Sequence, residues 1–288
     1  MLHQRLITAV ILLAILLAAL FAPVAWPMVL ILTIVAGIVV WEWLRLLIPP
    51  TANPHLAAYI SSVFFVVALA TGSQALVVQP DLWALGLRYF TLYGLSYVVA
   101  AVWVVFATGV VLIARTEAPR ASVFHGTFAV LAVWCAWLSL VQLYLSYGPW
   151  FLLSFLAFIW VADSAAYFVG RRFGRMRLAP NVSPGKTVEG AAAGVLAAII
   201  WVLITAFTPN GFGAVLVLTW SWTGAILLAF GLACLSIIGD LYESLLKRRA
   251  NQKDSSHLLP GHGGLYDRVD ALLPVATLAF LLLGANSL

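Results

Sequence analysis

The stretch LITAVILLAILLAALFA at residues 6–22 carries no charged side chain. As an α-helix it is long enough to cross the hydrocarbon core of a bilayer. Apolar stretches of comparable length follow it at 28–48, 55–72, 89–113, 123–145, 150–170, 188–208, 216–247 and 267–286. The sequence therefore predicts an all-α, polytopic integral membrane protein with about nine transmembrane helices.

The composition agrees with this prediction. Of 288 residues, 64% are hydrophobic and 9% are charged. A chain with so few polar groups cannot cover itself with a water-soluble surface. Soluble Rossmann-type enzymes, disulfide-rich scaffolds and disordered chains are excluded.

Two of the stretches differ from a plain span. Residues 6–22 resemble a signal peptide, but another apolar stretch follows at once and no convincing small-residue cleavage site is present, so we interpret them as the first span. The stretch 216–247 is too long for one span. We expect a short helix at 213–220, followed by a longer helix that extends beyond the bilayer at its Lys247 end.

The distribution of basic residues predicts the orientation. If the amino terminus is cytoplasmic and all nine segments cross, fourteen of the fifteen Lys and Arg residues lie inside, and Arg88 lies outside. Cytoplasmic loops of membrane proteins carry such an excess of positive charge. We therefore expect an N-in, C-out topology, with the two longest polar connections, 171–187 and 248–266, on the cytoplasmic side.

Acidic residues within apolar stretches gather in the carboxy-terminal half. Because a charge in a span is costly, such a residue usually has a functional partner. We therefore expect residues 1–145 to form a transmembrane scaffold and residues 146–288 to form the catalytic region, with its site at the cytoplasmic face. The acidic residues concerned are Asp163, Glu189, Asp240, Glu243, Asp267 and Asp270.

The first cluster lies at the end of the eighth apolar stretch. Spacings of three and four residues place Asp240, Glu243, Ser244 and Lys247 on one helix face. A carboxylate about two turns inside an apolar helix needs a cation or a wet cavity. Alternatively, the carboxylates pair with Lys247 or Arg248, and the basic end of the helix reaches towards lipid head groups.

The second cluster is Leu259-Pro-Gly-His-Gly-Gly-Leu-Tyr-Asp-Arg-Val-Asp270. Three glycines around His262 let a backbone approach a ligand closely and point amides at a phosphate. Alternatively, the glycines form a tight turn, and Asp267 and Asp270 are favourable charges at a helix amino terminus. Carboxylates from two helices beside a glycine loop and basic residues suit hard divalent cations and phosphates.

A third cluster combines Asp163, within the sixth stretch, with Ser183-Pro-Gly-Lys-Thr187. The Gly-Lys-Thr sequence is not a P-loop, because Pro180 stands where the first glycine belongs and we expect no strand before the loop. Lys186 and Thr187 directly precede a helix amino terminus, which suits a nucleotide phosphate.

Residues 244–270, SLLKRRANQKDSSHLLPGHGGLYDRVD, closely resemble the signature of the phosphatidate cytidylyltransferases, the CDP-diacylglycerol synthases. The resemblance extends over about 163–270. It implies Mg²⁺-dependent transfer of CMP from CTP to phosphatidic acid, giving CDP-diacylglycerol and pyrophosphate for phospholipid biosynthesis. With the expected topology, it implies a bacterial cytoplasmic (inner) membrane protein whose active site faces the cytoplasm. CTP, phosphatidic acid and membrane lipids are the expected partners, nucleic acid is not, and a homodimer is left open.

The resemblance also implies roles for single residues. Asp240 and Asp267 correspond to the metal-binding acids, for one or two divalent ions with a second, monovalent cation left open. Gly185 stands where many members carry a second lysine, which leaves one nucleotide contact open. Further catalytic positions are Asp270, Lys247, Arg248 and His262, the last as a positioning residue. Substrate-binding positions are Asp163, Ser183, Lys186, Thr187, Glu189, Gly263, Gly264 and Arg268.

Two other classes remain as alternatives. A transporter or channel would also bury acids in broken helices, but its polar groups would have to reach both membrane faces. A CDP-alcohol phosphotransferase would need an Asp-Gly pair with further aspartates along two helices, which this sequence lacks. A CTP-dependent lipid kinase is the remaining enzyme alternative.

Overall fold

A computed structural model describes residues 2–49, 51–53, 55–117 and 123–284. The predicted all-α membrane fold is confirmed. In these ranges seven helices are long and apolar enough to span a membrane, and Leu6–Leu20 and Leu272–Leu283 are shorter apolar helices. The count of nine spans and the N-in orientation remain predictions. The helices are α1 (Leu2–Leu20), α2 (Trp26–Leu47), α3 (Leu56–Ala75), α4 (Leu82–Ile113), α5 (Val123–Tyr147), α6 (Pro149–Phe173), α7 (Val188–Thr205), α8 (Phe212–Arg249), α9 (Tyr266–Val269) and α10 (Leu272–Leu283).

The predicted break in the eighth apolar stretch is confirmed. Helix α8 runs over 38 residues, but Ser221 has φ 63° and ψ 174°, which interrupts the helix. The short first part is held by side chains of two other helices. The Ser154 hydroxyl accepts from the Phe212 amide at 2.8 Å, and the Thr205 hydroxyl accepts from the Gly213 amide at 3.1 Å. The longer second part carries the acidic and basic residues.

A β-hairpin lies between α6 and α7. Strands β1 (Arg177–Ala179) and β2 (Ser183–Thr187) pair antiparallel. The expectation of no strand before the Gly-Lys-Thr sequence was therefore wrong, because strands this short leave no readable alternation of polar and apolar residues. The exclusion of a P-loop stands, since Lys186 lies within β2 and not in a glycine-rich loop.

The hairpin leads directly into α7, as the sequence predicted for Lys186 and Thr187. Thr187 is the N-cap, and its hydroxyl accepts from the Gly190 amide at 3.1 Å. Helix α7 packs against α6 through glycines. A Cβ on Gly190 would lie 2.7 Å from the Ala166 carbonyl oxygen, and one on Gly194 would lie 2.8 Å from that of Ala162. Small residues thus permit the helix contact that brings the hairpin beside Asp163.

Helix α5 is the most buried of the long helices. Helices α2, α3, α4, α6 and α10 contact it. Helix α8 packs on α7, α10 and α4, and α2 contacts both α8 and α9. The carboxy-terminal part of α8, the hairpin, the start of α10 and the end of α2 therefore meet in one region.

Candidate functional site

Three carboxylates converge where α8 meets the segment between α9 and α10. One oxygen each from Asp240, Glu243 and Asp270 lies within 4.8 Å of the others. Glu243 and Asp270 are buried. The approach depends on Gly239, where a Cβ would lie 2.6 Å from the Asp270 carbonyl oxygen and 2.9 Å from Pro274 Cγ. The predicted acidic face of α8 therefore meets an acid from a second element.

Two lysines reach these acids from different elements. Lys186, on β2, forms an ion pair with Asp240. Lys247 Nζ lies 2.7 Å from Glu243 Oε2 and 2.8 Å from Asp267 Oδ1. The alternative in which Glu243 pairs with Lys247 on its own helix is therefore part of the observed geometry. It does not account for Lys186, which comes from the hairpin.

Asp267 lies outside the group of three converging acids. Its carboxylate accepts from Lys247 Nζ at 2.8 Å, from the Gly264 amide at 2.8 Å and from the Ser255 amide at 3.1 Å. These three donors and the Lys247 charge compensate for the partial burial of the Asp267 carboxylate. Its assignment as a metal ligand stays a prediction.

Asp163 faces the site from helix α6. It is exposed and interacts electrostatically with Asp240, Lys186 and Arg268. An exposed carboxylate in the middle of an apolar helix needs either water or a cation beside it. The region around Asp163, Asp240 and Lys186 is therefore the open side of the cluster, since the Lys186 and Asp240 side chains are themselves 26% and 31% exposed.

The glycine loop folds back on the site. Gly261 and Gly263 have φ values of 77° and 81°, which glycine adopts without strain. The Gly264 amide is used inside the protein, on Asp267. Arg268 Nη2 donates to the His262 carbonyl oxygen at 2.7 Å, and His262 Nδ1 is buried with no hydrogen-bond partner among the described residues. The expected turn is present, and a free phosphate-binding amide at Gly263 stays a prediction.

Three other predicted positions hold the hairpin in place. Arg248 Nε donates to the Val182 carbonyl oxygen at 3.2 Å. Glu189 accepts from the Arg175 amide at 3.0 Å, and Thr187 caps α7. These contacts fix the strand that carries Lys186. Ser183 is partly buried in the same strand, beside the hairpin turn.

Sequence reasoning missed Glu42. Its side chain, on α2, is fully buried and accepts from the Leu265 amide at 3.1 Å, from Ser255 Oγ at 3.2 Å, and from Ser256 Oγ and the Tyr266 amide. The signal was present, because Glu42 is an acid inside the predicted span 28–48. The intramembrane acids considered lay in the carboxy-terminal half alone.

Known proteins resemble this chain along most of its length. A family model described as the cytidylyltransferase family matches residues 3–285. Phosphatidate cytidylyltransferase of Pseudomonas aeruginosa is 34% identical over 277 residues, covering 94% of this chain and 93% of that protein. The enzyme of the same name from Thermotoga maritima is 34% identical over 199 residues, or 67% of this chain and 73% of that protein.

A higher identity is confined to part of the chain. Phosphatidate cytidylyltransferase of Haemophilus influenzae is 44% identical over 126 residues, covering 44% of this chain and 43% of that protein. The family model spans all the elements that build the site, from Glu42 on α2 to Asp270 before α10. The chain therefore belongs to the cytidylyltransferase family.

Proposed function

We propose that this protein transfers the CMP group of CTP to phosphatidic acid, producing CDP-diacylglycerol and pyrophosphate for phospholipid biosynthesis. One observation supports it most. Lys186 and Lys247 reach, from two elements, a group of three carboxylates at the end of an apolar helix. Cations and carboxylates together suit a reaction between two phosphate-bearing substrates, which otherwise repel each other.

The chemistry demands charge neutralisation above all. A phosphatidate oxygen attacks the α-phosphorus of CTP, the new phosphoanhydride bond forms, and pyrophosphate leaves with the electron pair of the broken bond. Phosphatidate is already ionised near neutral pH, so no general base is required. We assign Lys186, Lys247 and Arg248 to the phosphates, and His262 to positioning.

The acids fit a hard divalent cation. Their oxygen ligands are those that Mg²⁺ prefers, and Asp240, Glu243 and Asp270 each offer one within 4.8 Å of the others. Such an ion, when bound, neutralises phosphate charge and polarises the phosphoryl oxygens. Asp240 is the ligand that we propose first, with Asp270 and Glu243 beside it. Asp267, marked by the family resemblance, would become a ligand on releasing Lys247.

The site's position in the chain suggests how substrates arrive. With the N-in topology, the hairpin and the loop after α8 lie on the cytoplasmic side of a bacterial inner membrane. CTP then enters from the cytoplasm, and the lipid enters sideways from the bilayer near Asp163. Residues 146–288 carry the chemistry, and residues 1–145 form the scaffold that supplies Glu42.

Purified protein tests the proposal with CTP and phosphatidic acid in mixed micelles. CDP-lipid and pyrophosphate should appear in equal amounts, stop on addition of a chelator, and return with Mg²⁺. Asp240→Asn should lower the rate by about 100-fold or more, because it removes a hard anionic ligand without changing side-chain size. Glu117→Gln, a matched change at an exposed carboxylate, should not. Equal rates for both variants would contradict the proposed site.

A further inference from the structure

Glu42 is an acid buried in an apolar protein without a described cation. The described ion pairs involve Lys186 and Lys247 with other acids. A buried carboxylate survives when several hydrogen-bond donors replace its water. Within the described part of the chain Glu42 has four such donors, and these come from residues 255–266, more than 200 positions along the chain.

These donors lie at the two ends of loop 255–266, which directly precedes Asp267. The Ser255 hydroxyl donates to Glu42 while its amide donates to Asp267. At the other end of the loop, the Gly264 amide donates to Asp267 and the Tyr266 amide donates to Glu42. The two carboxylates therefore share the same two ends of the loop. Asp267 in turn contacts Lys247 at 2.8 Å.

The packing around Glu42 leaves the loop little freedom. A Cβ on Gly264 would lie 2.0 Å from Ser255 Oγ and 2.7 Å from Glu42 Oε1. The neighbour of Glu42 on α2, Trp43, stacks on the Tyr266 ring at 4.8 Å between centroids and 14° between planes. Helix α2 thus contacts the loop through both the Glu42 carboxylate and the Trp43 ring.

We infer that Glu42 is a positioning residue for the reaction, whose buried carboxylate clamps loop 255–266 and thereby holds Asp267 against Lys247. The effect of Glu42 on the reaction rests on the proposed function, whereas its contacts with loop 255–266 do not. A carboxylate is required, since each of its oxygens accepts from a backbone amide, and a glutamine would place an NH2 donor against one of these two amides. Mutation of a residue that orients metal ligands typically lowers activity by about 10- to 100-fold.

The test compares Glu42→Gln with Glu42→Asp and with a control on the same helix. Thr33→Val removes a buried hydroxyl that donates to the Val29 carbonyl oxygen and accepts from Trp137 Nε1, away from the loop. Glu42→Gln should lower kcat by about 10- to 100-fold, and Thr33→Val should leave kcat within about twofold. Glu42→Asp should recover part of the loss because it keeps two acceptor oxygens.

Two readouts separate positioning from general stability. The Leu265 and Tyr266 amides donate to different oxygens of Glu42, and glutamine keeps one of the two. Hydrogen–deuterium exchange of at least one of these amides should therefore accelerate in Glu42→Gln, and exchange of both should stay unchanged in Thr33→Val. A double-mutant cycle should also show that Ser255→Ala plus Ser256→Ala costs less kcat in the Glu42→Gln background than in the wild type.

Wild-type exchange with wild-type kcat in Glu42→Gln would overturn the inference, and so would strictly additive losses in the cycle. If Glu42→Gln does not insert, the double serine variant carries the test, since it removes two of the four donors from the loop side. Glu42 remains the acceptor of the Leu265 and Tyr266 amides in this variant, so its readouts are a lower kcat and faster exchange of the Ser255 amide, which donates to Asp267. Normal values of both would overturn the clamp. If the wild type makes no CDP-lipid but its loop amides still exchange more slowly than those of Glu42→Gln, the proposed function is refuted and the clamp stands.

Discussion

Gly239→Ala tests whether the close approach of α8 to the start of α10 builds the site. The added Cβ would lie 2.6 Å from the Asp270 carbonyl oxygen, whereas ordinary contacts begin near 3.4 Å. The two backbones must therefore separate by about 0.8 Å. Gly239 precedes Asp240 directly, so the movement separates Asp240 from Asp270.

Gly239→Ala should reduce kcat much more than it reduces the stability of the fold. Overpacking a well-packed contact costs about 1–3 kcal/mol, and the better helix propensity of alanine returns about 0.5–1 kcal/mol of that. Misplacing reacting groups by about 1 Å can reduce the rate by about 100-fold. Gly239→Ala should therefore insert and fold with a modestly lower Tm, while kcat falls by about 100-fold.

Gly231→Ala is the matched control, because it makes the same change on the same helix. Its Cβ would meet nothing within 4 Å. Steady-state kinetics with CTP and phosphatidic acid, and thermal unfolding in the same detergent, would measure both variants. A Gly239→Ala protein with kcat within twofold of the wild type, or a Gly231→Ala protein that loses as much, would refute the reasoning.

Lys247→Gln should lower kcat by about 100-fold, because it leaves Glu243 and Asp267 without their shared cation. The control Arg175→Gln, at an exposed site, should change kcat by less than about twofold. Equal mild losses of kcat in the two variants would remove Lys247 from the site. Asp267→Asn should reduce activity by about 100-fold even at saturating Mg²⁺, and near-normal rates across a Mg²⁺ titration would contradict its role. For topology, an impermeant thiol reagent should label Gln252→Cys from the cytoplasmic side and Val78→Cys from the outside, and the reverse pattern would contradict the N-in orientation.

Local sequence patterns predicted the helices and one face of the site. The apolar stretches give the spans because bilayer thickness fixes their length. Helical periodicity places Asp240, Glu243 and Lys247 together, and the Glu243–Lys247 ion pair agrees. These are relations within about two turns of one element, and a single sequence carries them.

Relations between distant segments could not be read in the same way. The hairpin consists of strands of three and five residues, too short for a periodic signal. The contact of Glu42 with Ser255 and Tyr266 depends on how α2 packs against the loop, and nothing in the local sequence of α2 indicates that partner. The placement of Asp267 on Lys247 likewise follows from loop closure over twenty positions.

The most direct measurement of the proposed reaction follows two labels of CTP into the lipid. With phosphatidic acid, Mg²⁺ and purified protein, phosphorus-32 at the α-position should appear in the organic phase as CDP-diacylglycerol, and label at the γ-position should remain in the aqueous phase as pyrophosphate. Transfer of the γ-label to the lipid, with the α-label left in solution, would identify a CTP-dependent lipid kinase and contradict cytidylyl transfer.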